Sequence, residues 1–153
     1  MTFSTLRTFP SLAAVLIAAS SPTVSAQCST HWTSVSAVPG ADGPVLASVT
    51  WDPDGAGPLE PRLVVGGQFE VVGNVAANCI AMFDPSTGTW QPFGAPLDAD
   101  VQALVVLPNG DLVAGGAFVE SQGTLLRHVA RWDGTQWQPF GIGTNDVVYA
   151  LAG

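Results

Sequence analysis

The sequence predicts an all-β chain built of small four-stranded antiparallel sheets, and three observations carry that prediction. One phrase occurs twice: Leu63 to Phe69 reads LVVGGQF and, 49 residues on, Leu112 to Phe118 reads LVAGGAF. Repeats of about 20 to 50 residues mark architectures whose units cannot bury their apolar faces alone and stack on neighbours. The 153 residues include 17 Gly, 12 Pro and 5 Trp at 47 % hydrophobic content, too apolar for disorder and too rich in turn formers for a helical bundle. Finally, short apolar runs alternate with Asp-Pro, Asn-Gly and Asp-Gly turns, the punctuation of hairpins.

Charge narrows the partners. Twelve acidic residues stand against four Arg and no Lys, a net charge of -8. Sustained binding to nucleic acid phosphates or to an anionic membrane surface is excluded on that balance, leaving a neutral or cationic partner or a metal.

Taken in order, residues 1–26 read as a signal peptide. Arg7 is their one charge, an apolar run extends from Leu12 to Ala18, and Val24, Ser25 and Ala26 offer small residues before Gln27. The run is far shorter than the ~20 apolar residues a membrane span needs, so the expected address is secreted, extracellular or periplasmic. Residues 27–43 hold a strand-like phrase from His31 to Val35. It recurs as Trp90 to Gly94 and as Trp137 to Gly141, the fourth strand of each later unit.

Two units follow, 44–94 and 95–141. In each, a first strand (Val45 to Val49; Val101 to Val105) leads through a turn into the Gly-Gly strand. That turn is Asp52 to Gly55, lengthened by Ala56 to Pro61, in one copy and Pro108 to Asp111 in the other. Asn109-Gly110 predicts a type I′ hairpin with positive φ at both residues. Gly66 and Gly67, like Gly115 and Gly116, predict a bulge or a close approach of a neighbour's backbone, as crowding near a central axis would require. A nine-residue loop precedes the third strand, Cys79 to Asp84 or His128 to Asp133. Residues 142–153 start a third unit with a strand at Val148 to Leu151.

An apolar run ending in Gly66-Gly67 with Phe69, then Phe83-Asp84, then Trp90, resembles the kelch repeat of β-propellers. The second copy matches with Gly115-Gly116, Phe118, Trp132-Asp133 and Trp137. The resemblance covers about 110 mature residues and implies four-stranded blades; Phe or Trp replaces the usual Tyr. Trp132-Asp133 also looks like a WD-type signature, but no Gly-His pair accompanies it and the period is long. Two blades leave an incomplete ring, since propellers need about 4 to 8. Either the chain is the N-terminal part of a longer propeller, or several copies close a ring. Exposed blade edges predict self-association.

Candidate sites are few. Asp52 to Gly55 resembles the calcium loop of integrin-type propellers. Such loops need about six oxygen ligands, and Ala56 and Gly57 stand where carboxylates are wanted, so a plain turn is the reading and no cofactor is expected. The kelch resemblance raises the copper site of galactose oxidase, which needs two tyrosines; Tyr149 is the only one here. His31 and His128 are the only histidines, and no nucleophile motif or phosphate loop occurs. Cys28 and Cys79 fall at opposite ends of a unit, about one strand length of ~17 Å apart against the ~7 Å limit for a bridge, which argues against a bridge between them; Cys79 reads as a small buried residue, and Cys28 is left to pair beyond Gly153. What remains is an acidic rim of Glu70, Asp98, Asp100, Glu120 and Asp146, read first as a solvated surface and otherwise as a site for a divalent ion such as calcium or for a basic partner. The expected function is a non-enzymatic secreted module that recognises or adheres to a protein or carbohydrate. The alternative is the first part of a secreted propeller enzyme acting on carbohydrate, with its catalytic residues in further blades.

Overall fold

The computed structural model describes residues 40–153. The expected signal peptide over residues 1–26 and the strand expected near Trp32 lie outside the described residues, as does Cys28. Twelve strands follow in order: β1 (Val45–Trp51), β2 (Arg62–Gly67), β3 (Val71–Val72), β4 (Val75–Ala76), β5 (Ile80–Asp84), β6 (Thr89–Pro92), β7 (Val101–Val106), β8 (Leu112–Gly116), β9 (Glu120–Ser121), β10 (Thr124–Leu125), β11 (Val129–Trp132) and β12 (Trp137–Pro139). They form two four-stranded antiparallel sheets, β1-β2-β5-β6 and β7-β8-β11-β12, and two small hairpins, β3-β4 and β9-β10. The fold is all-β, and among the described residues the sheets close no ring or barrel.

Each glycine pair does two jobs, one per residue. A Cβ on Gly67 would lie 2.1 Å from the carbonyl oxygen of Pro44, and one on Gly116 would lie 2.0 Å from that of Asp100. These are close approaches within the glycine's own sheet, where β1 and β7 are bulged between Val45 and Ala47 and between Val101 and Ala103. The other glycine receives the neighbouring unit. A Cβ on Gly66 would meet Val101 Cγ1 at 2.5 Å, and one on Gly115 would meet Val148 Cγ1 at 2.6 Å. The bulge and the neighbour's approach are thus both present, on adjacent residues.

The segment Val148 to Leu151 takes the place on the second sheet that β7 takes on the first. It is not a strand, correcting the expectation. A first strand is held by its own second strand, and this segment instead rests on side-chain packing and one bond from Val148 N–H to Gly116 O, 3.2 Å.

Three further expectations are corrected. The loops between second and third strands contain the hairpins β3-β4 and β9-β10, turned by Gly73 and by Gln122-Gly123 at positive φ. The Asn109-Gly110 turn is not type I′: Gly110 alone has positive φ (89°), and Gly110 N–H donates to Leu107 O at 2.9 Å. Pro108 is the reason, because its ring fixes φ near -65° at the second position of a type I turn, with Gly110 closing a three-residue loop. Of each glycine pair, only Gly66 and Gly115 receive the neighbouring unit, while Gly67 and Gly116 serve their own sheet's bulge.

The main core lies between the sheets. Val64, Ile80 and Phe93 from the first meet Val101, Leu112, Ala114, Ala130 and Trp132 from the second. A smaller cluster, Val65, Phe69, Val72, Ala77 and Ala81, lies under hairpin β3-β4. Trp51 crosses between units, donating from Nε1 to Gly110 O at 3.1 Å.

Candidate functional site

Two ends of the molecule could meet a partner, and the same repeated residues shape both. At one end, the strand-two to strand-three loops return to the sheet through consecutive left-handed residues, Asn78 (φ 44°) and Cys79 (72°), repeated as Arg127 (55°) and His128 (69°). Such non-glycine conformations cost about 1–3 kcal/mol each and persist only where surroundings hold them. Here Cys79 N–H donates to Phe69 O at 2.8 Å and Gly67 N–H to Cys79 O at 2.9 Å. The second unit repeats this with His128 N–H to Phe118 O and Gly116 N–H to His128 O, at 2.9 and 3.0 Å. Phe69 and Phe118 are buried beneath these loops.

The predicted acidic rim sits at this end and is only partly assembled. Asp98 Oδ1 accepts from Val119 N–H (2.7 Å) and Glu120 N–H (3.0 Å), so its carboxylate holds hairpin β9-β10 in place. Asp100 accepts from Gln68 Nε2. Asp146 accepts from Val147 N–H at 2.8 Å, and Glu120 is exposed. Glu70, Asp98 and Asp100 lie near Cys79, whose thiol is pushed up by burial first and then by the Asp100 charge. Asp42, which the sequence reading missed, repeats the Asp98 role by accepting from Glu70 and Val71 N–H, both at 3.0 Å. The available signal was positional, since both aspartates stand three residues before the first-strand valine.

At the opposite end, turns from both sheets enclose an open groove of about 390 Å³. Trp51 and Trp132 line it together with Asp52, Asp54, Asn109, Asp111 and Asp133. Phe93 packs against both indoles, at 5.3 and 4.9 Å between centroids, and Trp137 meets Trp132 edge-on at 5.3 Å. The groove was not anticipated, because it exists only where turns from different units face each other.

Its carboxylates are shaped by hydrogen bonding. Asp133 accepts from Gln136 and Thr135 N–H (2.8 and 2.9 Å), from Thr135 Oγ1 and from Gln138 Nε2, which together hold its carboxyl far below the usual range. Asp111 is lowered by Arg131 at 3.0 Å, then by Asn109. The repeat equivalent of Asp133, Asp84, lies outside the groove; it is buried, lowered chiefly by the Ser86 hydroxyl at 2.6 Å, and paired with Arg62 at 3.3 Å. Asp54 Oδ2 accepts from Leu59 N–H at 3.1 Å across the lengthened turn. Among the described residues no group of three His, Cys, Asp or Glu side chains is placed to hold a metal ion.

Trp90 is half-buried, edge-on to Phe83 at 5.3 Å, with Gly73 of β3-β4 lying over it, while Trp137 is buried. Comparison with protein-family profiles, with curated proteins and with solved structures found no match.

Proposed function

We propose that this chain is a non-enzymatic, secreted, kelch-like repeat module that recognises a protein or carbohydrate through the groove between Trp51 and Trp132. The observation that carries the reading is the groove itself, where Trp51 and Trp132 from different sheets stand beside the carboxylates of Asp52 and Asp54. A general acid or base works best with a pKa near the operating pH, which carboxyl groups reach by being raised. Asp84, Asp111 and Asp133 are all lowered, by donors of their own turns or by a neighbouring arginine. They act as fixed acceptors that shape turns.

The kelch-like assignment is supported by the paired use of glycines and aspartates in both units. Secretion is supported by the apolar run and small residues before Gln27. The groove favours a polar ligand whose hydroxyl or cationic groups meet Asp52 and Asp54 while its apolar edge meets indole. Tryptophan fluorescence against glycan and basic-peptide panels tests this. A binder is expected to change the emission and to lose at least about tenfold in affinity, about 1.4 kcal/mol, in Asp54→Arg. Binding insensitive to Asp54→Arg and abolished by Glu120→Arg moves recognition to the other end and contradicts the reading, as does turnover of a bound sugar.

A further inference from the structure

Equivalent residues of the two sheets are buried unequally. Leu112 is fully buried and Leu63 is 39 % exposed; Val101 is fully buried and Val45 is 48 % exposed. Trp137 is buried and Trp90 is half-buried. All three pairs lie on the face that, in the second sheet, is turned toward the first. The first sheet therefore presents an apolar face whose complement exists within the same chain.

That complement has a defined geometry. Val101 enters the space left by Gly66, and Leu104 Cδ1 lies 3.4 Å from the same Cβ position. Gly115 is the matching space on the second sheet, and Val148 and Leu151 occupy it with the same two contacts, at 2.6 and 3.3 Å. Val45 is the third valine at this register and the one that stands exposed. Its natural receptor is a glycine of the Gly115 kind, held at present by a segment with no strand pairing.

We propose that two copies of this chain associate head to tail, β1 of one copy displacing Val148 to Leu151 from Gly115 of the other. The contact reproduces the one already made between β7 and the first sheet, with Val45 in place of Val101. Because the displaced segment is tethered, it competes at a local concentration on the order of millimolar, which keeps the chain that carries it weakly associated. A heterologous contact of this kind also permits more than two copies to add.

Sedimentation velocity of the secreted chain over a concentration series tests it. The expected result is reversible association that Val45→Asp abolishes and that deletion of residues 147–153 strengthens at least about tenfold. The Val45 side chain is exposed, so the variant keeps the monomer's circular dichroism and thermal midpoint. To separate docking from mere exposure of apolar surface, Val45→Asp is combined with the deletion and is expected to be monomeric. A monomer at every concentration in both wild type and the deletion overturns the proposal. Association that survives Val45→Asp overturns it too, and so does association weakened by the deletion, which points to identical faces meeting instead.

Discussion

The two sheets share one framework and differ in what covers them. Both place a bulge beside the second glycine, two left-handed residues before the third strand and an aspartate-held turn after it. The second sheet lies between the first sheet and the Val148 to Leu151 segment. Among the described residues, the first has a neighbouring sheet on one face, and hairpin β3-β4 with Trp90 over part of the other. Local geometry is thus written within each unit, whereas burial is written by its neighbours, as expected where stability is a sum of unit and nearest-neighbour contributions.

Leucine truncation should break the equivalence most sharply. Leu112→Ala removes a fully buried side chain and is expected to cost about 3–4 kcal/mol, within the range for core leucines. Leu63→Ala, at the same position of the exposed face, should cost under about 1 kcal/mol by urea unfolding, because a surface position forfeits little. Equal losses would mean that the first sheet's face is covered as fully as the second's.

The two glycines of each pair should differ in the same way in both sheets. Gly67→Ala and Gly116→Ala push a methyl into a backbone carbonyl, which a side-chain rotation cannot relieve, and should each cost about 2–3 kcal/mol. Gly66→Ala and Gly115→Ala press on valine side chains and should cost about 1–2 kcal/mol, with Gly115→Ala the milder because its partner belongs to an unpaired segment. Thermal scans of the four variants rank them. Smaller again is Trp51→Phe, which loses the indole bond to Gly110 O and should cost about 1 kcal/mol.

Acid should act on both units in the same direction. Asp84 and Asp133 are lowered in the folded state, so at pH 3–4, near the ordinary carboxylate value of about 3.9, the unfolded chain binds more protons. The stability these groups confer is fully present above that value and is lost as pH falls through and below it. Asp133→Asn should flatten this part of the unfolding profile, and an unchanged slope would remove Asp133 from the account.

Much of the fold was legible because the chain states it twice. LVVGGQF and LVAGGAF located β2 and β8, and the recurring Trp phrase located β6 and β12. The hairpins β3-β4 and β9-β10 were not, since two-residue strands are too short to show alternation. The left-handed pairs were hidden as well, because Asn78-Cys79 and Arg127-His128 contain no glycine and are held by tertiary hydrogen bonds. For the candidate site, the sequence showed Asp52, Asp54 and Asn109 only as separate turns. Their convergence depends on Trp51 reaching Gly110 from the other unit.

Gly66 is reserved for Val101 of the next sheet, while Gly67 is reserved for its own sheet's bulge. A double-mutant cycle tests this most directly. Val101→Ala should relieve part of the strain of Gly66→Ala, with a coupling energy of about 1 kcal/mol, and should leave the cost of Gly67→Ala unchanged within about 0.3 kcal/mol. Additive losses for Gly66→Ala and Val101→Ala, or equal coupling of both glycines to Val101, would contradict the account.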